Sequence, residues 1–283
     1  MDFQDKDKTE YPETRNKELS YYQQRFLKLP RMIIENFNIG DQRLAVYTYL
    51  AIRCGLDYKV DTDLKTIILS FGKKPDRHPG QINDKTENSL SKLIELGYIK
   101  KLSQDCDLNV NQTFFFDQEW IDNNCPQFTI AYIDEIERIL SSDISNKDIT
   151  LLVFAYLRLK IHRRPNSMPK KYWGNQEGYK ADNPEVYNCY YRDIAKELGL
   201  TVHVVQKAVD ALIEIGLIYA EELPRHLVKS SNGQERWMTG QTLFCNTYKR
   251  DAKYEFVKGK QYYEKEIKNK KKIIEQAKGG NSI

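Results

Sequence analysis

The sequence contains one segment twice. Residues 90–99 read LSKLIELGYI and residues 209–218 read VDALIEIGLI. In each copy the apolar residues recur at helical spacing, stop at a glycine (Gly97, Gly216) and pass into a β-type pair (Tyr98-Ile99, Leu217-Ile218). A chain with two copies of this helix–glycine–strand unit is constrained to fold as two like units in tandem. Its 283 residues leave room for two units of the usual ~100–150 residues, each able to bury a core.

The neighbourhoods of the two copies also correspond. In the first half, DQRLAVYTYLAIRCG (41–55) has helical spacing, with Asp41 expected as N-cap and Gly55 as stop. DTDLKTIILSFG (61–72) reads as a second helix, capped by Asp61 or Thr62. KKPDRHPGQ (73–81) is a turn-rich spacer. NDKTENSLSKLIEL (83–96) is the third helix, and 98–102 and 112–116 read as short strands around a polar tip. In the second half, 145–161, 191–199 and 201–215 are the three helices, followed by strands at 217–223 and 242–248 with an SSNG turn (230–233) between them. FTIAYIDEIERIL (128–140) answers FLKLPRMII (26–34), Phe128 matching Phe26 at an offset of 102. Tyr156-Leu157 answers Tyr49-Leu50 at an offset of 107, and Gly216 answers Gly97 at 119. The drift from 107 to 119 places about twelve extra residues within an insertion at 162–190. The expected organisation is a disordered polar arm (1–20), a first domain (21–120), a second domain (121–250) with that insertion, and a basic helix or tail (251–283).

DIAKELGLTVHVVQKAVDALIEIGLI (193–218) has the pattern of a supporting helix, a tight turn and a second helix. Ile194, Ala195 and Leu198 are expected to face inward, Gly199 to take the left-handed turn, and Thr201 to cap the next helix. Val205, Val209, Leu212 and Ile213 form an inward stripe, which turns Thr201, His203, Gln206, Lys207 and Asp210 outward. The string resembles the winged helix-turn-helix of bacterial regulators and replication initiators. That resemblance implies an α+β fold, mostly helical with small β-wings: two tandem winged helix-turn-helix domains plus a basic C-terminal helix. The major groove of B-DNA admits one helix, and Thr, Gln and Lys can bond base edges or phosphates. Thr201, His203, Gln206 and Lys207 are therefore the expected DNA-reading set.

Other basic residues are assigned as DNA contacts on charge. The second wing contributes Arg225, His226, Lys229 and Arg236. The first repeat contributes Lys73, Lys74, Arg77, Lys85, Asn88 and Lys92, although its third helix also exposes Asn83, Asp84, Glu87 and Ser91, and its acids repel phosphate. Arg163, Arg164, Lys170 and Lys171 in the insertion are expected phosphate contacts. So are Lys270, Lys271 and Lys272 in the tail. Residues 258–278 hold eight lysines and three glutamates, a balance of +5 against +4 for the whole chain, so the remainder is close to neutral.

Catalysis and metal chemistry find no motif. The five cysteines are scattered, odd in number and never in CxxC spacing, which reads as free thiols in a reducing cytoplasm. The four histidines are dispersed, and no GxxxxGK[ST] or GxSxG string occurs. No catalytic residue, metal or cofactor is expected. No apolar run approaches the ~20 residues of a membrane span, and the polar N-terminus is not a secretory signal.

FLKLPRMIIENFNIGDQRLAVYTYLAIRC (26–54) with NDKTENSLSKLIELGYI (83–99) is similar to the tandem winged-helix replication initiators of plasmids, phages and mobile elements. The similarity implies a non-enzymatic, sequence-specific protein that binds repeated origin DNA. Double-stranded DNA, host replication proteins and a second copy of the chain are the partners it suggests. Two alternatives stay open on the same modules: a transcriptional regulator, and an interaction protein that blocks a host complex.

Overall fold

The computed structural model describes residues 26–35, 41–54, 57–102, 110–116, 118–125, 127–161, 184–224, 226–229, 235–238, 241–247 and 252–279. The expected N-terminal arm (1–20), most of the insertion and the first polar tip lie outside them. The first repeat runs β1 (Phe26–Pro30), α1 (Arg31–Glu35), α2 (Arg43–Arg53), β2 (Lys59–Thr62), α3 (Leu64–Ser70), α4 (Ile82–Glu95), β3 (Ile99–Lys101) and β4 (Gln112–Phe116). A short helix, α5 (Gln118–Asn124), leads into the second repeat. That repeat runs β5 (Phe128–Tyr132), α6 (Ile133–Ser141), α7 (Lys147–Lys160), β6 (Tyr187–Tyr190), α8 (Tyr191–Leu198), α9 (Val202–Glu214) and β7 (Ile218–Glu222). It continues through the hairpin β8 (His226–Lys229) and β9 (Glu235–Met238) to β10 (Gln241–Asn246), and α10 (Ala252–Gly279) follows. This is an α+β fold with small antiparallel sheets.

Each repeat closes a three-stranded antiparallel sheet in the same order. The last strand lies in the centre, giving β2-β4-β3 and β6-β10-β7. The strands β2 and β6 are additions to the sequence expectation. Their formation moves the cap of α3 from the expected Asp61 or Thr62 to Asp63, whose carboxylate accepts the Thr66 N–H at 2.8 Å. It also turns the end of the expected insertion into ordered strand. Helix α2 begins at Arg43, and Asp41 binds the Arg43 N–H at 2.9 Å without acting as the N-cap.

The helix ends follow local rules. Thr201 caps α9, its hydroxyl accepting the Val204 N–H at 3.3 Å. Gly97, Gly199 and Gly216 all sit in the left-handed region (φ 82°, 62° and 68°), where a side chain is strained. This lets α4 and α9 end abruptly and the chain turn straight into β3 and β7.

Most buried apolar residues of both repeats belong to one contiguous cluster running from Leu27 to Phe244, and a second, small cluster of Val186, Leu223, Leu243 and Cys245 lies under the start of α10. The α7 residues from Leu151 to Leu157 are all buried, as are the α2 residues from Leu44 to Ala51. A helix buried all round belongs at the centre of a fold, and α2 and α7 pack on each other there. Beside them β1 and β5 pair antiparallel with the same burial pattern, and Lys28 faces Ile130 at the middle of the ladder.

Arg158 lies wholly inside this region. Its guanidinium makes a two-pronged bond to Glu135 (3.0 and 2.9 Å), and its Nε donates to the Ile130 carbonyl at 2.9 Å. The rings of Tyr132 and Phe154 lie within 5.6 Å of the guanidinium. The remaining Glu135 capacity accepts the Tyr132 N–H. Such a pair survives burial through its two-pronged geometry and the further bonds each partner makes to the backbone. A second ion network crosses between repeats: Lys160 of α7 meets Glu35 of α1 at 3.3 Å and Glu197 of α8 at 3.0 Å, and Arg31 also holds Glu35.

Candidate nucleic-acid interface

The unit α8–Gly199–α9 is built as its sequence suggests. Leu200 N–H bonds back to the Ala195 carbonyl at 2.8 Å, so the turn closes directly onto α8. Val205, Ala208, Val209 and Leu212 are buried against the core. Thr201, His203, Gln206, Lys207 and Asp210 are all exposed, which places the expected reading set on one solvent face. Ile213, expected in the buried stripe, is 41% exposed; Ala208 takes the inward place. Val202 joins the set from outside the sequence expectation: at the first position of α9 it is 46% exposed beside His203. Its signal is a branched apolar side chain directly after a cap, outside the inward spacing.

The far end of α9 is clamped. The Arg138 guanidinium of α6 donates to the Ile215 carbonyl, and the Thr247 hydroxyl donates to the Gly216 carbonyl at 2.7 Å. A Cβ on Gly216 would lie 3.2 Å from that guanidinium. The exposed face is therefore presented on a helix fixed at both ends, with few degrees of freedom to lose on binding.

Helix α4 occupies the equivalent place in the first repeat. Lys85, Asn88 and Lys92 are exposed, and so are Glu87 and Ser91. Asn83 and Asp84, expected to be exposed, are half-buried. Asn83 accepts the Asp76 N–H at 2.9 Å and Asp84 accepts the Gly80 N–H at 2.6 Å, so both fix the spacer before the helix. The inner face carries two polar residues beside Leu90 and Leu93: the Thr86 hydroxyl donates to the Gln42 side-chain carbonyl at 2.5 Å, and Ser89 Oγ accepts the Gln42 N–H at 2.9 Å. These buried bonds seat α4 on the start of α2.

The spacer lysines divide. Lys74 and Arg77 are exposed. Lys73 is half-buried and ion-paired with Asp148 at the start of α7, a contact between repeats that no local sequence signal announces. Lys73 and Asp148 also line a cleft of about 280 Å³ with Asp41, Gln42, Gln81, Ile82, Lys85 and Ile149.

The remaining assigned residues belong to other elements or lie outside the described residues. Lys229 stands opposite Glu235, and Arg236 opposite Val228, in the β8–β9 hairpin, against which α10 packs. Lys270, Lys271 and Lys272 lie on α10. The start of α10 is docked: Gly259 sits so close to Val186 that a Cβ would come within 2.7 Å of it, and Phe256 packs on Tyr219 with ring centroids 5.7 Å apart. Arg163, Arg164, Lys170, Lys171 and Arg225 lie outside the described residues.

Among the described residues no group of three His, Cys, Asp or Glu side chains is placed to hold a metal ion. Burial pushes the Cys189 thiol up to about 12, which keeps it protonated and unreactive. Among the described residues no helix is long and apolar enough to cross a membrane.

No protein-family model matches the chain, and no curated protein matches it significantly.

Proposed function

We propose that this protein binds double-stranded DNA sequence-specifically through two winged helix-turn-helix units, without enzymatic activity, and serves as a replication initiator of a plasmid, phage or mobile element. The reading rests above all on α9. Thr201, Val202, His203, Gln206 and Lys207 stand together on the outer face of a capped, clamped helix that follows a left-handed glycine turn. Gln offers a paired donor and acceptor for adenine, Lys bonds guanine or phosphate, and an exposed Val suits a thymine methyl. Each repeat has a three-stranded sheet with one strand before the helix pair and two after it, the last strand central, which supports a winged-helix reading; in the second repeat a separate hairpin, β8–β9, lies between β7 and β10 in the chain. The basic α10 supplies charge that attracts phosphate without sequence information. The initiator role itself comes from the likeness of residues 26–54 and 83–99 to tandem winged-helix initiators.

A specific observation keeps the protein-interaction alternative in view. The first repeat gives Lys73 to Asp148 and leaves Glu87 on the outer face of α4, which weakens its attraction for phosphate. Selection of binding sites from a random DNA pool at two salt concentrations separates the readings. A defined enriched sequence that persists at the higher salt supports DNA reading. Binding that is weak, unselective and erased by salt points to a protein partner instead.

A further inference from the structure

We propose that the cleft between the two repeats binds a small zwitterionic amino acid with an apolar side chain. The site stands on the cleft itself and does not depend on the DNA-binding reading.

The cleft lies where the spacer before α4, the first turn of α4 and the first turn of α7 meet. Asp148 is the residue that calls for a ligand. It lines the cleft and is only 9% exposed. Its Oδ2 is held by Lys73, while its Oδ1 is buried with no hydrogen-bond partner among the described residues. A buried carboxylate oxygen is costly to leave without a donor. A charged N–H donor suits it best, because charge-assisted bonds are roughly twice as strong as neutral ones.

The same lining also provides for an anion. Lys85 is exposed on α4. Helices α4 and α7 both start here, and neither Gln81 nor Asn146 caps its helix with a side chain. The N–H groups of a helix start carry partial positive charge and favour an anion. The other acid of the lining, Asp41, is already engaged through both oxygens by the N–H and Nε of Arg43. Asp41 and Asp148 balance Lys73 and Lys85, so the lining carries no net side-chain charge. A phosphate ester would bring uncompensated negative charge beside two carboxylates. An ammonium and a carboxylate on one molecule instead match Asp148 on one side and Lys85 with the helix starts on the other. Ile82 and Ile149, both half-buried, supply an apolar wall for the remainder of the ligand.

Size selects within the class. The volume of about 280 Å³ equals that of roughly nine water molecules at ~30 Å³ each. It holds a molecule of about ten non-hydrogen atoms, the size of leucine or isoleucine, and is too small for a whole nucleotide. A ligand that touches α4 and α7 together bridges the repeats and stabilises the folded chain.

Calorimetric titration of the full chain with leucine tests the proposal. Isocaproate, which lacks the ammonium, and leucine methyl ester, which lacks the carboxylate charge, are the paired probes. Leucine is expected to bind with one molecule per chain and to raise the melting temperature. Each probe is expected to bind at least about tenfold more weakly, because a bond to a charged group is lost. Lys85→Ala and Asp148→Asn are expected to weaken leucine binding by a similar factor, with circular dichroism reporting that each is folded. Asp148→Asn also weakens the pair with Lys73; should it fail to fold, the comparison of the three compounds on the natural chain decides the matter. No heat and no thermal shift with leucine, equal binding of the three compounds, tighter binding of glycerol phosphate than of leucine, or undiminished binding by folded Asp148→Asn would each overturn the inference.

Discussion

Lys28 and Ile130 are partners across an antiparallel ladder and also hold the same place in their respective repeats. Their pairing joins the two halves of the chain. It works with the α2–α7 packing and the Lys73–Asp148 ion pair, both of which also cross between repeats. Unfolding one repeat therefore strips apolar partners from the other. We expect a single cooperative transition in urea, with tryptophan fluorescence and circular dichroism giving coincident midpoints. Two separated transitions would show that the repeats are stable independently.

Glu135→Ala leaves the Arg158 guanidinium buried without its carboxylate. Removing one partner of a buried pair typically costs about 3–5 kcal/mol, and here a backbone bond and two aromatic neighbours hold the arginine in place. The unfolding free energy in urea should fall by that amount with the slope unchanged. Replacing both residues by apolar ones of similar size should recover much of the loss.

Gly97 and Gly80 separate backbone strain from packing. Both have positive φ (82° and 75°), so alanine at either is strained by about 1–2 kcal/mol. A Cβ on Gly80 meets nothing within 4 Å, whereas one on Gly97 lies 3.0 Å from two ring carbons of Trp120. Gly97→Ala should therefore destabilise more than Gly80→Ala in equilibrium unfolding. It should also shift the fluorescence of the native state, because Trp120 has to move.

Much of the architecture is legible in the amino-acid order. Gly97, Gly199, Gly216 and Thr201 announce helix ends through conformational preference alone, and the inward spacing of α9 follows from its period. What the order conceals depends on partners far away in the chain. FLKLP and FTIAY are too short to declare themselves as strands until each meets the other. Lys73 looks like one of two adjacent surface lysines, and only the approach of Asp148 distinguishes it from Lys74. Asp84 looks like a charge repelling phosphate until the Gly80 N–H is found against it.

The ion network around Glu35 gives a pH dependence. The hydrogen bond from Arg31 holds the Glu35 carboxyl below its ordinary value, with Lys160 adding to the effect against the cost of burial. A carboxyl with a depressed folded-state pKa contributes stability that is present above the unfolded value of about 4.3 and is lost as pH falls through the folded value. Glu35→Gln should therefore lower the melting temperature at pH 7. The gap between variant and natural protein should close in acid, as scanning calorimetry between pH 7 and pH 2 can show. A gap that persists undiminished at pH 2 would mean that packing, not charge, is what Glu35 contributes.

Deleting 266–283 leaves the docked start of α10, including Phe256 and Gly259, in place. If the removed lysines meet only phosphate, affinity should drop for all sequences alike. The salt dependence should flatten by about one unit of slope for every lysine–phosphate pair that the deletion abolishes. A change in which sequence is preferred would show that the tail reads bases.

The most direct test of the central claim is site selection with Gln206→Ala beside the natural chain. If α9 reads bases, the variant should lose preference at one position of the site, with a discrimination loss of about 1–3 kcal/mol there and the other positions unaltered. An identical preference and affinity in the two proteins would contradict the assignment of α9 as the reading helix.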